Sequence, residues 1–383
     1  MHVVIAPDSY KESLSATEVA QAIENGFKTV LPAWRFTKLP MADGGEGTVQ
    51  SLVDATGGSI IQVEVTGPLG TPVEGFFGLL GDGETAVIEM AAASGLHLVS
   101  PSERNPLLTT SFGTGELIKA ALDHGANHLI IGIGGSSTND GGAGMAQALG
   151  AKLLDKAGQA IGFGGGSLAS LHTIDCSDVD SRLKNVKLEV ACDVDNPLCG
   201  KKGASAIFGP QKGATPEMVK TLDVNLNHYA NVMKSELGSD VKNSAGAGAA
   251  GGMGAALMGI FNAILRPGIE IVMDAINLSE QLKGADLVIT GEGRIDSQTI
   301  HGKTPIGVAR CAKTFGLPVI GIAGSITQDS VVVYDHGIDA LFSVVSGACT
   351  LENALANAKE NVELTAQNVA RMLVLNLNLG SRT

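Results

Sequence analysis

The residues of this chain best suited to chemistry lie in short polar clusters that follow apolar, strand-like runs. The run Gly132-Ile133-Gly134-Gly135-Ser136-Ser137-Thr138-Asn139-Asp140-Gly141-Gly142 comes after the apolar His128 to Ile133 and before a helix-like segment. Glycines there let backbone N–H groups approach an anion closely, and the following helix can direct its partial positive end at the same spot. Three more clusters have the same placement. Asp8, Ser9 and Lys11 follow Val3 to Ala6, Asp193, Asp195 and Asn196 follow Leu188 to Cys192, and Glu292, Arg294 and Asp296 follow Leu287 to Thr290. In α/β proteins ligands collect at the carboxyl ends of strands, so four clusters there form a stronger pattern than any one of them. Each also has a plain reading, because acids and Asn after strands commonly cap helices or make Asx turns, and Lys11 and Lys303 read equally as surface charges.

The familiar nucleotide motifs do not fit. Gly302-Lys303-Thr304 has the ending of a Walker A loop, yet Ser297 stands where its first glycine is required. Ser137 falls where a dinucleotide fingerprint needs its third glycine, and protein-kinase signatures are missing. The eight histidines show no metal-ligand spacing.

The elements that must position these clusters alternate along the chain. Val3 to Ala6 reads as a buried strand, and Ser15 with Glu18 forms the capping box of a helix that places Val19, Ile23, Phe27 and Val30 on one face. The loop Pro40 to Gly47 leads into a second helix carrying Val49, Leu52 and Val53. From Ile60 to about Met90 the texture changes to short β-like runs divided by Gly67-Pro68-Leu69-Gly70 and Gly81-Asp82-Gly83. Alternating texture returns at Asp286 to Thr290, Pro318 to Ala323 and Ala340 to Val345, and Leu351 to Leu375 carries a helical period through Leu355, Val362, Val369 and Leu373. The expected fold is α/β with mainly parallel sheets in two domains. Residues 1–66 and 285–383 form one discontinuous domain, and 67–284, with the glycine-rich loop, is inserted as the second.

Composition narrows the class. A chain of 383 residues, 44% hydrophobic and 17% charged, has ample material for large cores. Its 51 glycines are nearly twice the usual share of about 7%, without a collagen period, which favours many tight strand-to-helix turns. A net charge of −13 argues against nucleic-acid binding. An anionic ligand must therefore be held locally, by backbone N–H groups, a few lysines or a metal. Five cysteines without a CxxC pair read as the reduced thiols of a cytoplasmic protein. The N-terminus reads as a first strand and not a signal peptide. The uncharged stretch Ser244 to Leu265 is long enough to cross a bilayer but too glycine-rich at its start, so it reads as a glycine loop leading into a buried helix, Ala255 to Leu265, with no membrane span.

Several segments together resemble the bacterial class I glycerate kinases. They are Pro7 to Leu14, Met41 to Gly47, Gly132 to Gly142, Ala191 to Leu198, Phe208 to Gly213 and Thr290 to Gly293, in order from the first residues to about Gly347. One departure is Tyr10, where the family pattern has Phe. The resemblance implies ATP-dependent phosphorylation of D-glycerate, usually at the 2-hydroxyl, and a site in a cleft between two α/β domains. Action at the 3-hydroxyl, a kinase for another small hydroxy acid and a non-catalytic nucleotide or metabolite sensor are the alternatives. Oligomeric state is left open, with a homo-oligomer compatible.

Phosphoryl transfer needs alignment, neutralisation of phosphate charge and a place for the hydroxyl proton. On that ground Gly134, Gly135, Ser136, Ser137, Thr138 and Asn139 are expected to hold the ATP phosphates. Lys11 would meet the glycerate carboxylate or the moving phosphoryl group, and Asp193 or Asp8 would act as base. Ser9, Asp43, Gly44, Gly45 and Asn196 are expected at the acceptor. ATP and a carboxylate in an acidic site call for Mg²⁺, with Asp193, Glu292 and Asp296 as candidate ligands.

Overall fold

The computed structural model describes residues 1–380, and the chain divides into two compact units. The first comprises Met1–Asp43, Gln50–Thr56 and Ile269–Thr383, and the second Gly44–Val49 and Gly57–Gly268. The sequence texture placed the divisions later, at 66/67 and 284/285. Ser59–Thr66 pairs antiparallel with Pro72–Leu79 along its whole length, so the Gly67 to Gly70 breaker is a hairpin connection inside the second unit's sheet.

The first unit is built on a five-stranded sheet in the order Ala340–Ser343, Val319–Ala323, Leu287–Gly291, His2–Pro7, Arg35–Lys38. All neighbours are parallel. The central strands are continuous apolar runs because a parallel sheet is covered on both faces. Arg35–Lys38 escaped the sequence reading because it is a half-exposed edge strand with charged ends. The helix Ala16–Val30 starts at Ser15 with the expected capping box, Ser15 Oγ accepting from Glu18 N while the Glu18 carboxylate accepts from Ser15 N. It buries Val19, Ile23 and Phe27 against Val3, Ile5 and Ile289. Its other neighbour is the C-terminal helix Ala358–Gly380, which contributes Val362 and Val369 to the same core. The C-terminal apolar period is thus carried by two helices, Leu351–Ala356 and Ala358–Gly380, separated at Asn357.

The second unit contains a six-stranded sheet in the order Ile264–Arg266, Lys187–Ala191, His128–Gly132, Thr85–Glu89, Pro72–Leu79, Ser59–Thr66. The first four strands are parallel, and Pro72–Leu79 runs antiparallel to both of its neighbours. Across the middle of the sheet Glu89 pairs with Gly132 and Gly132 with Ala191, so three strands end level. The uncharged stretch is a buried helix, Ala249–Phe261, interrupted by left-handed Ala250, Gly251 and Gly252. It stops at left-handed Asn262, and Leu265 lies in the strand Ile264–Arg266, so the helix expected to reach Leu265 ends earlier. No described helix is long and apolar enough to cross a membrane.

The contact between Ala16–Val30 and Ala358–Gly380 sets one sharp test. A Cβ on Gly26 would stand 2.3 Å from the Glu363 carbonyl oxygen and 2.7 Å from Ala366 Cβ. Gly to Ala within a helix ordinarily stabilises by about 1 kcal/mol. Here overpacking dominates, and Gly26→Ala is expected to lower unfolding free energy by about 1–3 kcal/mol in urea titration. A gain in stability would show that the two helices part at no cost.

Candidate active site

The level strand ends of the second unit form a pocket of about 270 Å³ whose walls include Gly44, Gly45, Gly132, Gly134 and Gly135. Phe76, Ala91 and Ala92 supply its apolar side, and Glu46, Glu89 and His97 its polar side. The floor is made by close backbone contact. A Cβ on Gly132 would lie 2.7 Å from the Gly44 carbonyl oxygen, and a Cβ on Gly44 would lie 2.6 Å from Ala191 Cβ. Packing alone thus requires a residue without a side chain at 44 and at 132. Glu89, at the end of its strand, accepts the N–H of Val49 at 2.9 Å and is bonded also by the amides of Gly47 and Thr48. A carboxylate at those amides anchors the start of the helix Thr48–Thr56 and the Gly44 to Gly47 loop before it. Burial raises the Glu89 pKa against these bonds.

Below the exposed Gly134 and Gly135 the loop turns inward, and Ser136, Ser137, Thr138 and Asn139 are buried. Ser137 donates its amide and its hydroxyl to the Ser94 carbonyl, at 3.0 and 2.9 Å. Asn139 donates to Ser205 Oγ at 3.0 Å. Asp140 is buried beneath them and accepts from Ser111 N and Oγ, Gly142 N and Gly144 N. Burial raises its pKa in spite of these bonds. Lys212, 1% exposed, donates to Ser136 Oγ at 2.8 Å and to the Thr138 carbonyl at 2.6 Å. Burial lowers its pKa to about 7, with Asp140 acting in the opposite direction. The hydroxyl row expected to face the phosphates therefore mostly faces the protein.

The first unit's strand ends gather the acids. Asp8 follows the strand His2–Pro7, and its carboxylate accepts from Ser9 N at 2.6 Å and from the buried Thr304 hydroxyl at 2.7 Å. Burial, then the charge of Asp43, raises its pKa to about 6, while Lys11 nearby pulls weakly the other way. Glu292 accepts from Thr299 Oγ1 at 2.7 Å and pairs with Lys303 at 3.4 Å. Burial raises its pKa, and the charge of Asp8 adds to that. Tyr10 is buried in the loop after Asp8 and donates its hydroxyl to the Ile322 carbonyl at 2.7 Å. That bond satisfies the buried Tyr10 hydroxyl.

Of the residues singled out in the sequence, Asp8, Ser9, Lys11, Asp43 and Glu292 are grouped in the first unit. Gly44, Gly45, Gly134 and Gly135 share the second unit's pocket. The others hold their own loops. Asp296 caps the turn Ser297–Ile300 through Gln298 N and pairs with Arg294 at 3.3 Å. Asp193 accepts from Gly268 N at 3.0 Å, at the start of the helix Gly268–Ala275. Asn196 donates to the Lys202 carbonyl and accepts from Gly248 N. Among the described residues no three His, Cys, Asp or Glu side chains are grouped to hold a metal ion. The sequence reading gave no role to Lys212, Glu89 or Thr304. Thr304 had a signal in Gly302-Lys303-Thr304, whose lysine and threonine meet Glu292 and Asp8.

Parallel strands ending in a glycine-lined pocket and in clustered carboxylates define an α/β protein built to bind small ligands at strand ends. The chain matches the family described as "Glycerate kinase family" over residues 3–374. It is 64% identical over 375 residues to the glycerate kinase of Bacillus subtilis (strain 168), covering 98% of each chain. It is 60% identical over 377 residues to the glycerate 2-kinase of Escherichia coli (strain K12), covering 98% of this chain and 99% of that one. The crystal structure of a protein assigned as glycerate kinase 2 from Salmonella typhimurium LT2 superposes with a TM-score of 0.91 at 60% identity, over 99% of this chain and 100% of the other. The chain belongs to the glycerate kinase family and is a phosphotransferase of that family.

Asp8 makes the site's electrostatics measurable. Its folded pKa of about 6 lies above the ordinary 3.8, so the folded chain keeps a proton that the unfolded chain releases. Its contribution to stability therefore falls as pH rises between those values. In buffer free of divalent cations, Asp8→Asn is expected to melt higher than the unaltered chain at about pH 7.5 and to lose that advantage near pH 4. An equal difference at both pH values would remove the raised pKa.

Proposed function

We propose that this chain transfers the γ-phosphoryl group of ATP to the 2-hydroxyl of D-glycerate, giving 2-phosphoglycerate and ADP. The observation that carries this reading is full-length identity of 60% to a protein named glycerate 2-kinase. In the transfer, the glycerate oxygen bonds to the γ-phosphorus, the bond to the β–γ bridging oxygen breaks, and its electron pair leaves with ADP. The hydroxyl proton passes to a carboxylate. Asp8, with its pKa of about 6, is largely ionised at neutral pH and able to accept it, and Asp193 is the second candidate. Lys11, exposed beside Asp8, offers its ammonium to the glycerate carboxylate or the moving phosphoryl group. Ser9, Asp43, Gly44, Gly45 and Asn196 complete the proposed acceptor residues.

The proposed nucleotide loop is Gly134 to Asn139. Gly134 and Gly135 present backbone to the phosphates, and Ser137 to Asn139 brace the loop from within. The acids of the first unit suit a cation, since Asp8 is disfavoured as an anion by Asp43, and Glu292 by Asp8. Mg²⁺ bound with ATP would neutralise charge on the phosphate oxygens and needs only one or two protein carboxylates. Glu292, Asp193 and Asp296 are proposed for it, although Asp193 already accepts from Gly268 N and Asp296 already caps its turn and pairs with Arg294. The inserted arrangement of the second unit, and closure on both substrates in the cleft that the family resemblance implies, belong to the same proposal.

The test is ATP- and Mg²⁺-dependent phosphorylation of D-glycerate coupled to enolase, with and without phosphoglycerate mutase. Signal with enolase alone is expected, signal only with mutase would move the reaction to the 3-hydroxyl, and none in either case would overturn the substrate. In the same assay Lys11→Ala is expected to cut turnover by more than about tenfold while leaving the circular dichroism spectrum unchanged. Near-normal turnover would remove Lys11 from the site.

A further inference from the structure

The pocket beside Gly134 and Gly135 is an unpromising place for an anion if only its surface counts. Its described lining contains Glu46 and Glu89 and neither Lys nor Arg. Positive charge lies instead underneath. The Lys212 side chain is buried, and two of its three N–H donors are directed at the loop, one to Ser136 Oγ at 2.8 Å and one to the Thr138 carbonyl at 2.6 Å. Burying an ammonium is costly unless it is matched, and the charge of Asp140 below the loop offsets that cost only in part, since burial still lowers the Lys212 pKa to about 7. The loop is otherwise incompletely bonded on this side, since Thr138 Oγ1 and Asn139 Oδ1 are buried without a protein partner.

The direction of the Lys212 bond to Ser136 decides what the serine can do. A hydroxyl that accepts from an ammonium keeps its own proton to donate elsewhere, and the charge makes it a stronger donor. Ser136, 7% exposed, directly follows the two exposed glycines. Lys212 cannot itself reach a ligand from its buried position, so any effect on one passes through the loop.

We propose that Lys212 is the positioning residue of the phosphate loop, fixing Gly134 to Asn139 from below and, through the Ser136 hydroxyl, presenting a donor to the anion held at Gly134 and Gly135. This rests on the reading of that loop as the nucleotide site. An isosteric loss of the charge should then weaken nucleotide binding and leave glycerate recognition alone, a split that general loss of packing would not produce.

The experiment is calorimetric titration with ADP, together with KM for ATP and for D-glycerate, on Lys212→Met, Ser136→Ala, the double variant and Gly135→Ala. Folding of each is checked by circular dichroism. Lys212→Met and Ser136→Ala are each expected to weaken ADP by about tenfold or more, with KM for D-glycerate changed by less than about twofold. The double variant should be no weaker than the worse single one, because both act along one path. If folded Lys212→Met binds ADP normally while Gly135→Ala does not, the role of Lys212 is overturned and the loop reading survives. If Gly135→Ala, Ser136→Ala and Lys212→Met all bind ADP normally, the loop reading falls and this proposal with it. Should Lys212→Met fail to fold, Ser136→Ala decides alone, and normal ADP binding by it overturns the proposal.

Discussion

The second unit's pocket depends on one steric constraint, the approach of the Gly44 carbonyl oxygen to within 2.7 Å of where a Cβ on Gly132 would be. Any side chain at 132 would lift the Gly44 to Gly47 loop off the strand ends. The loop is then held from its far side by Glu89, which gathers the amides of residues 47 to 49. A strand end without a side chain and a neighbouring strand end with a buried carboxylate thus act together. One allows the approach and the other fixes it.

Charge is handled differently in the two units. In the first, burial and the charge of Asp43 disfavour ionisation of Asp8, and burial and the charge of Asp8 disfavour that of Glu292, while Thr304 bonds to Asp8 and Thr299 and Lys303 to Glu292. Such a group stores unfavourable electrostatics that a cation or a proton relieves, the usual mark of a site arranged for function over stability. In the second, Glu89, Asp140 and Asp193 accept from backbone amides and the Lys212 side chain is buried. The net charge of −13 therefore says little about local fields, which are set by a few buried groups.

The sequence made the central strands and the first helix legible because each depends on its own residues. Val3 to Ala6 is apolar throughout, and Ser15 with Glu18 forms its box locally. What it could not show was pairing at a distance. The β-like texture from Ile60 onward was plain, yet nothing local reveals that Ser59–Thr66 joins Pro72–Leu79 and not the chain's first strand. The same limit applies to the site. Strand-end glycines and acids stood out by composition, whereas Lys212 lies 76 residues from Ser136 and has no meaning until the fold brings the two together. Ser137 to Asn139 resembled ligand donors because hydroxyl and amide groups look the same in sequence whether they face a ligand or Ser94 and Ser205.

The order of strands in the first sheet has a consequence for how the chain is made. His2–Pro7 is synthesised long before its central partner, and one of its edges is soon taken by Arg35–Lys38. Its other edge pairs with Leu287–Gly291, which at about 5–20 residues per second is not synthesised for roughly a quarter of a minute to a minute. For that interval Val3, Val4 and Ile5, wholly buried in the finished protein, belong to a strand with an open apolar edge, the kind of surface on which nascent chains aggregate.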